Sequence, residues 1–228
     1  MTTTTSPAER AAELAVLANT AAGCTACELS KGRTNVVFGY GDPNADLMIV
    51  GEGPGQHEDE QGLPFVGRSG KLLDELLAEI GLRREENVYI GNVVKCRPPG
   101  NRDPRQVEID ACADYLRSQL RLVDPLVVVT LGNFSSKLLM RTETGITRLR
   151  GQAYPWWGRF LVPTFHPAAA LRGSARVLAE MRHDFELVAD IISGRLRYEP
   201  GAATNDDVQH SDAAAAAPQE LDQLGLFG

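Results

Sequence analysis

The chain has 228 residues, 43% of them hydrophobic and 23% charged, which suits one soluble domain with a sizeable core. No apolar run approaches the length of a membrane span, and the opening MTTTTSPAER lacks the basic and apolar regions of a secretory signal, so a cytoplasmic protein is expected. The net charge of −7 argues against holding nucleic acid by bulk charge; yet six carboxylates and no Lys or Arg fall within 198–228, so the body is almost neutral and can carry a local basic face.

Residues 1–6 read as a disordered leader. Positions 7–20, rich in alanine and leucine, predict a helix. DLMIV at 46–50 is a short buried strand that runs into GEGPG. A helix follows over 69–80, with Leu72, Leu73, Leu76, Leu77 and Ile80 on one face and Gly81 as its stop. A second strand is expected over 88–94, and a helix over 104–122 opened by a proline in its first turn. A third strand (126–131), a helix (133–140), a fourth strand (160–165) and a last helix (175–192) complete the pattern. After Arg197 the composition turns to Ala, Asp and Gln, which predicts a disordered acidic tail over 198–228 and a single domain over 7–197.

Strands alternating with helices predict an α/β fold whose parallel sheet is covered on both faces. Ligands of such sheets sit at the carboxyl ends of the strands. GEGPG, NVVKCRPPGNR and HPAAALR each follow a strand, so three loops are expected to build one site.

Cys24 and Cys27 form a C-x2-C pair, and Cys96 and Cys112 form a wider one. A disulfide framework does not suit a reducing cytosol, whereas four thiolates suit a metal site. Spacing alone leaves zinc, iron and four inert buried thiols all open.

The segment 51–67, GEGPGQHEDEQGLPFVG, departs from the dinucleotide fingerprint and indicates a backbone turn that comes close to a ligand. Most of Glu52, Glu58, Asp59 and Glu60 are expected to form a solvated acidic loop. Phe65, outside any helix or strand pattern, is either a loop anchor or a stacking platform. Asn92 at a strand end is either a turn former or an amide that reads a base edge. A lone His166 is usually structural, and convergence on one sheet edge is what gives these residues weight.

Taken together, these stretches closely resemble the family-4 uracil-DNA glycosylases, the iron–sulfur type of bacteria and archaea. The matching segments are VFGYGDPNADLMIVGEGPGQHEDEQGLPFVGRSGKLL, VYIGNVVKCRPPGNRDP, the cysteine quartet, VVVTLG and FHPAAALR. The resemblance implies a three-layer α/β/α sandwich around a four-stranded parallel sheet. It also implies a [4Fe–4S] cluster on Cys24, Cys27, Cys96 and Cys112. By the same resemblance Phe65 stacks on uracil, Asn92 reads it, the backbone of Gly53 meets it, and His166 faces its O2. Glu52 is placed to activate water or to stabilise the sugar cation. Glu58 is the candidate for excluding the thymine methyl, and Arg172 for gripping DNA. A related class traps DNA covalently through a histidine in an inserted basic loop; here CRPPGNRDP runs straight into a helix, which favours turnover. A DNA-binding module without turnover and a glycosylase of broader damaged-base specificity are the competing readings.

The chain ends LDQLGLFG, in which Gln223, Leu224, Leu226 and Phe227 resemble the QL-x-LF peptide of bacterial proteins that bind the replication sliding clamp. A glutamine handle and apolar anchors on a tether suit capture in a groove. A monomer is expected.

Overall fold

A computed structural model describes residues 6–173 and 175–197. In chain order its elements are α1 (Pro7–Ala22), β1 (Tyr40–Gly41), β2 (Leu47–Gly51), α2 (Gln56–Gln61), α3 (Arg68–Glu79), β3 (Val88–Asn92), α4 (Gln106–Val123), β4 (Val127–Leu131), α5 (Asn133–Met140), α6 (Ile146–Leu149), β5 (Tyr154–Trp156), β6 (Arg159–Thr164), α7 (Pro167–Leu171) and α8 (Ala175–Ile192). Every residue of β2, β3 and β4 is buried, as strands covered on both faces must be.

Side-chain alternation along the strands divides the helices into two layers. Met48 and Val50 of β2 enter one core with Leu14 of α1 and Leu116 and Leu120 of α4. Leu47 and Ile49 enter the other with Leu73, Leu76 and Leu77 of α3 and Met181, Phe185 and Val188 of α8. The result is the expected α/β/α arrangement.

The sheet order is β1-β3-β2-β4-β6-β5. Its inner four strands are parallel, as expected. Two short antiparallel strands extend it, β1 beside β3 and β5 beside β6. They are too short to carry a readable alternation, and Pro155 in β5 suits an edge, where its missing N–H breaks no ladder. The chain passes from β2 to β3 on one side and then to β4 on the other, so the loops leaving the strands part at this point, where α/β sheets open a crevice.

Several boundaries differ from expectation for local reasons. Arg105 is the N-cap of α4, which leaves Pro104 just outside the helix rather than in its first turn. Strand β3 stops at Asn92 because the next two residues turn to donate their N–H groups to Gly51 O and Glu52 O, at 2.9 and 3.1 Å. The acidic stretch read as a loop contains α2, and Asp59 within it is buried, accepting from the backbone N–H groups of Thr34 and Asn35. Ser6 caps α1 in a reciprocal pair with Glu9. No helix among the described residues is long and apolar enough to cross a membrane.

Candidate active site

At the carboxyl ends of β2, β3 and β6 lies a cleft of about 470 Å³, lined by Glu52, Gly53, Glu58, Phe65, Asn92 and His166 among others. Residues spread over more than a hundred positions of sequence therefore share one pocket. Arg172 does not line it; it is an exposed residue capping the C-terminus of α7.

Asn92 ends β3, only 2% exposed, and its side-chain Oδ1 is buried with no hydrogen-bond partner. A buried acceptor left open costs about 1–3 kcal/mol, so the fold maintains it against its own stability. The Asn92 main chain is tied from below: Lys95 Nζ, wholly buried, donates to Asn92 O at 2.7 Å and also to Gln119 Oε1. Gln119 Nε2 donates in turn to Phe38 O at 2.8 Å. Burial lowers the Lys95 ammonium to about 7, opposed by the nearby Cys112. Gly51 is required between the two walls, because a Cβ there would strike the Asn92 Oδ1 and stand 2.7 Å from Phe65 Cζ.

Phe65 holds a left-handed backbone, φ 54°, a conformation that costs an aromatic residue about 1–3 kcal/mol. Two groups hold it there. Arg84, a buried guanidinium, donates to Pro64 O at 3.1 Å and Phe65 O at 3.0 Å, while its Nε binds Asp74 at 2.7 Å. From the other side Glu58 Oε1 accepts from Val66 N and Gly67 N at 3.0 and 3.1 Å. Gly70 completes the fit, since a Cβ on it would collide with the Phe65 carbonyl.

His166 caps α7, and its Nδ1 accepts from Ala168 N at 3.2 Å. In the neutral ring the proton is then on Nε2, which leaves that edge as a donor. Burial first, and then the Arg172 charge, hold its pKa below the ordinary histidine value, with Glu58 opposing. The ring lies 5.8 Å from that of Phe65, tilted by 32°. Gly132 backs it: a Cβ there would stand 3.2 Å from the His166 Cβ.

Glu52 follows β2 at the pocket wall. Burial, reinforced by the charge of Asp103 and a hydrogen bond between the two carboxyl groups, pushes it up to about 7. Asp103 is held by its neighbour: Arg102 donates to Asp103 O at 2.9 Å and grips the buried Glu108 with both nitrogens at 2.9 and 2.6 Å. The pocket thus offers an open acceptor on an amide, an aromatic face, a neutral imidazole donor and a carboxyl that ionises near neutrality. Such a set can hold a flat ring bearing a ring N–H and assist breakage of a bond to it.

The four cysteines line a second, small cavity together with Arg33, Lys95 and Tyr115. None of the four forms a disulfide, and Arg33 Nη1 lies 3.4 Å from Cys96 Sγ. Burial raises Cys112 to about 11, and Lys95 opposes it. No group of three or more His, Cys, Asp or Glu among the described residues is set to hold one metal ion.

The sequence model of the uracil DNA glycosylase superfamily matches residues 38–188. A type-4 uracil-DNA glycosylase of Sulfurisphaera tokodaii is 43% identical over 184 residues, covering 77% of this chain and 83% of that protein. The chain belongs to the type-4 uracil-DNA glycosylase family. A type-4 enzyme of Thermotoga maritima is 48% identical over 68% of this chain and 81% of its own length. A type-5 uracil-DNA glycosylase of Thermus thermophilus is 31% identical over 69% and 80%.

Relative to this family pattern, three contributors were not singled out from sequence. Gly51 sits inside the GEGPG signal but is indistinguishable there from its neighbouring glycines. Lys95 carried a signal, a charge directly after the apolar pair Val93 and Val94. Asp103 carried none, because its meeting with Glu52 depends on how two distant loops fold.

Proposed function

We propose that this protein extrudes uracil from DNA and hydrolyses its N-glycosidic bond with water, leaving an abasic site for repair. The observation that carries the reading is the buried, unpartnered Oδ1 of Asn92, on a residue that lines one pocket with Phe65 and His166. Uracil presents an N3–H donor flanked by two carbonyl acceptors; the Asn92 amide matches it with Oδ1 to N3–H and Nδ2 to O4. Cytosine reverses both groups and would set donor against donor. Glu58, fixed by two backbone N–H groups, is assigned the wall that the 5-methyl of thymine would meet.

A base within a duplex is unreachable, so the nucleotide is flipped out at a cost of a few kcal/mol, of which stacking on Phe65 offsets about 1–3 kcal/mol. As the bond between C1′ and N1 breaks, its electron pair passes to the base and collects on O2. His166 donates there through Nε2–H, an interaction stronger in the transition state than in the ground state. Ionised Glu52 stabilises the sugar cation and takes a proton from the water whose oxygen bonds to C1′. The backbone of Gly53 borders the base, and Arg172 contributes its charge to the DNA backbone.

The cysteine quartet is assigned to a [4Fe–4S] cluster. A cluster of several atoms needs its thiolates set apart around a hole, and what supports this reading is that the four cysteines line a common cavity. Bound there, it would supply a cross-link between the segment after α1, the exit of β3 and α4. The Gln223, Leu224, Leu226 and Phe227 peptide lies outside the described residues; we assign it to the sliding clamp from its sequence alone.

The deciding experiment incubates the protein with a uracil-containing oligonucleotide and then cleaves abasic sites with alkali. Strand breakage at uracil alone is expected. Binding without breakage would support the competing DNA-binding module, and breakage at hypoxanthine a broader specificity. Full activity after Glu52→Ala combined with His166→Ala would overturn the assignment of these two residues.

A further inference from the structure

Behind the pocket lies a buried ion pair that the reaction as described does not use. Asp184 of α8 has no solvent exposure, and Thr164, the last residue of β6, has none either. Thr164 Oγ1 donates to Asp184 Oδ2 at 2.6 Å. Arg150 grips the same carboxylate, Nε to Oδ2 at 3.0 Å and Nη2 to Oδ1 at 2.6 Å, and its Nη2 also donates to Glu180 O at 2.7 Å. The Arg150 guanidinium further lies 5.8 Å from the centre of the Phe165 ring. Three consecutive residues, Thr164, Phe165 and His166, are thus held in three ways: by Asp184, by Arg150 and by the cap on α7.

We propose that Arg150, Asp184 and Thr164 form a positioning device that sets His166 over the reacting base; this rests on the role given to His166 above. A buried ion pair adds little net stability compared with apolar side chains of the same volume, so stability alone is a weak reason for its presence. A place where one is demanded is a strand end whose following residue must sit to within a fraction of an ångström. Gly132 N donates to Thr164 O at 2.8 Å and so anchors the backbone of the strand end. The side-chain hydroxyl then fixes which way the chain leaves the sheet. Since Nδ1 of His166 is already committed to Ala168 N, a small rotation of this exit moves Nε2 away from O2 without breaking the cap.

Removing Asp184 endangers the fold, because the largely buried Arg150 would lose its only carboxylate partner among the described residues and keep just the Glu180 carbonyl. The primary variant is therefore Thr164→Val, which keeps the shape of the side chain and leaves Asp184 bound by Arg150. Single-turnover excision of uracil from an oligonucleotide is expected to slow by about tenfold or more with little change in the substrate concentration at half-saturation. Thr164→Ser should restore the rate. In a His166→Ala background, Thr164→Val should cause no further loss, since nothing remains to position. A wild-type rate for Thr164→Val, or a loss that multiplies fully with that of His166→Ala, overturns the device. A wild-type rate for His166→Ala alone would instead overturn the role of His166, so the two failures are distinct.

Discussion

Replacing Asp103 by Asn tests how the pocket sets the protonation of Glu52. In the native protein burial contributes most to raising Glu52 to about 7, and the Asp103 charge adds to it. The variant keeps the burial and a side chain able to hydrogen-bond, but removes the charge. Asp103 is exposed, so a water-like dielectric applies, in which two charges about 4 Å apart repel by about 1 kcal/mol, or about 0.7 of a pH unit. Arg102 is occupied with Glu108, and Glu58, His57 and Arg68 around the pocket are unchanged in the variant. Glu52 acts ionised, so the rate rises with pH through its pKa and levels off above it. Burial and the Arg172 charge hold the histidine's own pKa below its ordinary value and so move it away from the limb set by Glu52. At pH about 6 the ionised fraction of Glu52 should rise from about a tenth to about a third, so that Asp103→Asn cleaves about threefold faster than the native protein there and equally fast above pH about 8. Single-turnover excision of uracil across this range measures both curves. Coincident acid limbs, or a native rate that does not change with pH, would refute the coupling.

Phe65→Ala should lower kcat/KM for uracil excision by about 5- to 150-fold, the equivalent of about 1–3 kcal/mol of lost stacking, with normal far-ultraviolet circular dichroism. Asn92→Ala should reduce excision by about a hundredfold, yet its thermal unfolding temperature should not fall, because the variant no longer buries an open acceptor. A large fall in that temperature would show that Oδ1 has a partner in the resting protein. Gly51→Ala should abolish uracil binding in a fluorescence titration, although residue 51 has no side chain to offer a ligand, because its Cβ would displace Asn92 and the Phe65 ring together.

Legibility from sequence followed how local each feature is. The short apolar run of β2 and the apolar face of α3 record burial directly, so a parallel sheet covered on both faces could be read from sequence, while which residue enters which layer was set by the fold. β1 and β5 escaped because strands of two and three residues hold too few repeats of a two-residue pattern to be read. The charges of α2 suggested a solvated loop, whereas Asp59 and Glu58 turn inward to satisfy backbone N–H groups that only the folded loop brings to them. The family's motifs brought Glu52, Gly53, Glu58, Phe65, Asn92 and His166 into view together, and the fold seats all six in one cleft.

By itself, the order of residues determined the succession of strands and helices, the loops that leave the strand ends, and the family, since each is written in short stretches of chain. Only the tertiary structure decided that the Asn92 oxygen is left without a partner, that Phe65 is held in a left-handed turn by Arg84, and that Glu52 meets Asp103. Those features are contacts between segments remote in sequence, set by strand order and register, and no local pattern of polarity encodes which remote group a side chain will face.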